Sequence, residues 1–68
     1  MNYTYEIFFN KYSKRMIVLE KINGITVFHF RLKQVRDEKY ISGFSVKQIE
    51  SFNRTLEWLK LNHPEFVL

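Results

Sequence analysis

Six cations, Lys11, Lys14, Arg15, Arg31, Lys33 and Arg36, stand in the first 36 residues of a 68-residue chain, with Tyr12 and His29 among them. Lysine and arginine neutralise phosphates, and aromatic faces stack on unpaired bases, so these residue types together suit a polyanion such as nucleic acid. The charge is unevenly placed. Residues 1–36 carry seven Lys and Arg against two Glu, a surplus of five, whereas residues 37–68 carry four against five Asp and Glu. Such asymmetry suggests nucleic acid, an anionic surface or an acidic protein as partner. The competing reading is a solvated end whose charges keep the protein soluble.

Other chemistry has little support. With no cysteine, disulfides and thiolate zinc sites are excluded, and two separated histidines, His29 and His63, make no metal set. Only Gly24 and Gly43 exist, too few for a phosphate-cradling loop. Glu20 and His29 are the one acid–base pair that the strand pattern brings together, and they lack a nucleophile, an orienting group and a pocket. The expectation is a protein that is not an enzyme and takes no cofactor. "MNYTYEIFF" has no basic segment leading a long apolar run, and no stretch approaches a membrane span. A cytoplasmic protein without membrane contact is the default.

The elements that must position the cations are legible in the apolar pattern. Strands are expected at about 3–9, 15–22 and 25–34, with a possible short strand at 39–43 and a helix at about 46–61. Asn23-Gly24 between "RMIVLEKI" and "ITVFHFRL" predicts a two-residue hairpin turn, because a type I′ turn needs positive φ at both positions. If Ile22 faces Ile25, Leu19 faces Phe28 and Ile17 faces Phe30. The core face is then Ile17, Leu19, Phe28, Phe30 and Leu32. The open face is Met16, Val18, Glu20, Ile22, Ile25, Val27, His29 and Arg31, with Glu20 diagonal to His29. An odd loop such as Tyr12-Ser13-Lys14 adds Tyr5, Ile7 and Phe9 to the core; an even loop puts Phe8 there instead. This register gathers the six cations at the end of the sheet away from the Asn23-Gly24 turn.

Ser45 and Gln48 form a capping box for the helix, with Phe44 and Ile49 spaced as a hydrophobic staple. Val46, Ile49, Phe52, Leu56 and Leu59 make the stripe facing the sheet. Asn62 can close the helix in a left-handed conformation, and Pro64 ends it. The fold expected is α+β: an antiparallel three- to four-stranded sheet followed by one C-terminal helix on one face, a β-β-β-(β)-α domain in two layers.

Two further surfaces invite partners. The open sheet face is apolar enough to meet a second subunit, bases or a protein, unless the first strand curls over it. On the helix, Trp58 falls opposite Ile49, beside Lys47, Ser51, Arg54 and Leu61 on the expected outer face. Exposed Trp with Arg suits an interaction anchor; equally, Arg54 can lie on the indole as a cation–π pair, or the tail around Phe66 can cover it.

"ISGFSVKQIESF" after a run of strands loosely resembles two families. One is the single-stranded-DNA-binding transcriptional coactivators, with a four-stranded sheet before a helix opened by an apolar-Ser-apolar segment. The other is the arm-type DNA-binding domain of tyrosine integrases, with three strands and a Gly-Phe just before the helix. Ser51 stands where the coactivator helix has an aromatic, and Ser45 lies one place before the integrase cap. The resemblance implies DNA binding and assigns no residue.

The expectation is therefore a small basic, non-catalytic nucleic-acid-binding protein acting as a homodimer. Lys11, Lys14, Arg15, Arg31, Lys33 and Arg36 would hold phosphates, with Tyr12 stacking or hydrogen-bonding. The alternative is a protein-interaction module, such as a small phage- or plasmid-type regulator or inhibitor docking on a host protein. It would dock through Trp58, Arg54, Lys47, Leu61 and the open sheet face.

Overall fold

A computed structural model describes residues 2–39 and 43–67. Its order is β1 (Tyr3–Asn10), β2 (Arg15–Ile22), β3 (Ile25–Arg31), a short α1 (Leu32–Arg36), α2 (Val46–Asn62) and a terminal 3-10 turn, Pro64–Phe66. The strands form one antiparallel sheet in the order β1-β2-β3, and α2 packs across one face. The α+β architecture read from the sequence is the one observed. The possible strand at 39–43 lies largely outside the described residues.

Asn23 and Gly24 do join β2 to β3, at φ 52° and 78°, with Ile22 opposite Ile25. The expected register survives for two rungs only. Lys21 pairs with Thr26, but Glu20 pairs with Phe28, so Val27 is an extra residue and forms a β-bulge. Because side chains alternate with period two, one inserted residue exchanges the faces of everything beyond it. Val18 and Glu20 therefore point at the helix beside Phe28 and Phe30, while Ile17 and Leu19 face the other way. This corrects the expected membership of β2 on both faces.

The first connection corrects the expectation a second time. Asn10 pairs with Arg15, so the loop is the four-residue Lys11–Lys14, an even loop. Tyr5 and Ile7 still reach the helix face, because they pair with Glu20 and Val18. Two parity shifts cancel. Phe8 pairs with Ile17 and is left on the open face.

The core is Val18, Phe30, Leu32, Val35, Phe52, Leu56 and Leu59. Phe30 is its centre, edge-on to Phe52 at 5.3 Å and to Phe44 at 5.8 Å between ring centroids, distances at which such pairs add to area burial. The strand expected to run to residue 34 ends at Arg31. Leu32 and Val35, one helical turn apart, both turn inward on α1. Glu38, at φ 53°, closes α1: its N–H donates to the Val35 carbonyl and that of Lys39 to the Gln34 carbonyl, a Schellman end.

The α2 start is as expected. Ser45 Oγ accepts from Gln48 N–H, and the Gln48 side chain accepts from Ser45 N–H. Phe52, Leu56 and Leu59 are buried, joined by Ser51 and Thr55, while Val46 is 71% exposed and drops out of the stripe. The expected left-handed Asn62 is not seen. Its side-chain amide instead donates to the Trp58 carbonyl at 3.0 Å, satisfying one terminal acceptor without a change of backbone hand.

Candidate functional site

The basic end is built from the four-residue turn, the adjoining strand ends and α1. Asn10 Oδ1 accepts from the backbone N–H groups of Tyr12 and Ser13, at 2.9 and 3.2 Å. This Asx arrangement sets the turn. Lys14 sits at φ 56°, a conformation that costs a residue with Cβ roughly 1–2 kcal/mol and that glycine would adopt freely. Tyr12, at the tip, is 89% exposed, with the Lys11 ammonium 5.6 Å from its ring centre.

Arg15 opens β2 and Arg31 ends β3. Lys33 and Arg36 follow on α1 rather than on a strand extension. Arg15, Arg31, Lys33 and Arg36 line one open cleft whose floor includes Met16 and Leu32. Lys11 and Lys14 flank it in the adjoining turn. Arg36 is bonded to Asp37, Nε to Oδ1 at 3.0 Å, and that hydrogen bond chiefly holds the Asp37 carboxyl below its ordinary range. The other five cations make no ion pair among the described residues. Both acids of the first half are committed elsewhere, Glu6 to Lys21 at 2.6 Å and Glu20 to Arg54 at 2.9 Å.

Beside the cleft, the open sheet face presents a transverse row of Phe8, Ile17 and Arg31 and a second of Glu6, Leu19 and His29. Phe8 is 46% exposed. Sequence reading placed Phe8 in the core or left it out. The clue it lacked was the bulge at Val27, which together with the even turn leaves Phe8 on the open face. His29 is exposed here and Glu20 is fully buried on the opposite side, so the expected diagonal acid–base pair does not exist.

Glu20 is instead the centre of a buried polar network. Its carboxylate accepts from the Tyr5 hydroxyl at 2.7 Å, from Ser51 Oγ at 2.7 Å, and from Arg54 through Nε at 3.1 Å and Nη2 at 2.9 Å. Burial pushes its pKa up, but the hydrogen bonds from Arg54, Tyr5 and Ser51 outweigh it and hold the group below its ordinary value. Burial, then the bond to Glu20, drives the Tyr5 hydroxyl well above the usual tyrosine range. The Arg54 guanidinium also lies 4.1 Å from the centre of the Tyr3 ring.

Trp58 is not turned away from the fold. It is half-buried and stacks on Tyr5, at 5.1 Å and 22° between planes. His63 packs on it at 5.1 Å, with Phe66 behind at 5.7 Å. Of the alternatives open for Trp58, cover by the tail is the one seen, through His63 and Phe66, while Arg54 lies over the Tyr3 ring of β1 rather than on the indole. Arg54, Trp58 and Leu61 border a shallow groove with Tyr5, and Leu61 is 74% exposed. Lys47, one residue into α2, does not line that groove but lies on the surface near Tyr3 and Ile22.

No described helix is long and apolar enough to cross a membrane, and no three potential metal-ligating side chains gather among the described residues. No family model matches the chain, and no curated protein or solved structure shows significant similarity to it.

Proposed function

We propose that this chain is a small, non-catalytic nucleic-acid-binding protein that acts as a homodimer. The observation that carries the reading is the cleft bounded by Arg15, Arg31, Lys33 and Arg36 beside the Lys11–Lys14 turn. Asp37 is the one acid that neutralises any of these cations among the described residues. Left-handed Lys14 at this turn adds support, since strain concentrates where side chains are held for a task.

Phosphate contacts release counterions, so affinity should fall steeply with salt, with a log–log slope of roughly −0.7 to −0.9 per phosphate neutralised. Lys14→Glu/Arg15→Glu should weaken binding to DNA or RNA at every salt concentration and flatten that slope by about one to two units. Absence of binding to single- or double-stranded DNA or RNA at low salt would sink the proposal. Mass in solution tests the dimer.

Exposed Leu61 in the groove beside Trp58 favours a second reading, a regulator or inhibitor that docks on a host protein through the helix or the open sheet face. In that case Trp58→Ala abolishes activity and Lys14→Glu/Arg15→Glu does not.

A further inference from the structure

Resting on the nucleic-acid reading, we infer that the ligand is an unpaired strand, with Phe8 as a stacking platform on the open sheet face and Arg15 and Arg31 holding phosphates beside it. Two exposed rings serve this patch, Phe8 on the open face and Tyr12 in the adjoining turn, at 46% and 89% exposure, while Phe9, 53% exposed and expected in the core, points to the face on the helix side. Phe8 pairs across the sheet with Ile17, and Ile17 with Arg31. Arg15 is the diagonal neighbour of both Phe8 and Arg31, a separation of about 7–8 Å. Cations and an apolar ring face therefore occupy one patch.

A duplex meets such a patch poorly. Its bases stack on one another, and it offers a protein phosphates, sugars and base edges. An unpaired strand offers phosphates for the arginines and a π-face for the ring. Stacking accepts the π-face of any base, so the Phe8 ring by itself sets little sequence preference.

The test uses fluorescence anisotropy at low salt on the whole chain. Labelled oligothymidylate, oligouridylate and a blunt DNA duplex of equal length are the probes. Expected is tighter binding to at least one single strand than to the duplex; the two single strands together decide between DNA and RNA as the source. Phe8→Ala should lower single-strand affinity about 5- to 150-fold, the range one base–aromatic stack supplies. It should leave the salt slope unchanged under conditions where circular dichroism shows the variant fully folded, and Phe8→Trp should restore binding. Duplex binding equal to or tighter than single-strand binding, or a silent Phe8→Ala, overturns this inference while salt-steep binding preserves the broader reading. Equal losses on all probes also overturn it. No binding to any probe overturns both.

Discussion

The two faces of the sheet invert the usual rule. The face under α2 has a carboxylate at its heart: Glu20, with 0% exposure, is bonded by Tyr5, Ser51 and Arg54. The open face has Phe8, Ile17 and Leu19 at its heart and, at its end, cations of which all but Arg36 make no ion pair among the described residues. Burying a charge is costly unless it is paired and fully hydrogen-bonded, and even then such a network is weak support for stability as such. What it supplies here is position. Tyr5 from β1, Glu20 from β2 and two residues of α2 meet at one carboxylate, so the helix has one satisfied seat on the sheet. On the open face Glu6 is taken by Lys21, and the cations at the basic end other than Arg36 make no ion pair among the described residues, which leaves them available to an outside anion.

The comparison breaks if removing the network changes nothing. Arg54→Ala leaves Glu20 buried without its counter-charge, a loss of about 3–5 kcal/mol for a broken buried pair. The value belongs at the lower end, because 32% of the Arg54 side chain remains in solvent. That is much of the roughly 3–5 kcal/mol a core of this size supplies, so urea denaturation should show a chain near the edge of folding. A midpoint within error of the parent would mean the carboxylate does not seat the helix.

A smaller effect separates adjacent residues of β2. Val18→Ala removes fully buried methyl groups and should cost about 1.5–3 kcal/mol. Ile17→Ala, on the open face, should cost well under half of that. The reverse order would restore the register expected without the bulge.

The smallest effect is the dependence on pH. The folded pKa of Glu20 lies below its ordinary 4.5. Its contribution is therefore complete above that value and is lost as the pH falls through the lower folded value. Tyr5 has the opposite sign: its raised pKa gives stability that is complete below 10.0 and lost as the pH rises above it. Urea midpoints across pH should fall on both sides. The acid limb should be shallower in Glu20→Gln; an unaltered limb would remove Glu20 from the account.

Local chemistry determined a good part of this protein by itself. The Asn23-Gly24 turn, the Ser45–Gln48 cap, the starts of the three strands and the Phe52, Leu56 and Leu59 stripe each depend on residues a few places apart, so a short window contains the whole cause. The grouping of the cations followed from the hairpin, because an antiparallel pair returns the chain to the same end whatever its register. Which face each side chain of β2 takes was decided only in three dimensions. One bulged residue, Val27, and an even turn at Lys11–Lys14 reverse parity without altering any apolar count. Nothing near Glu20 in the chain says that it belongs inside. Its donors stand 15, 31 and 34 residues away, and only when β1 and α2 close over β2 does the buried carboxylate find the hydrogen bonds that offset its desolvation.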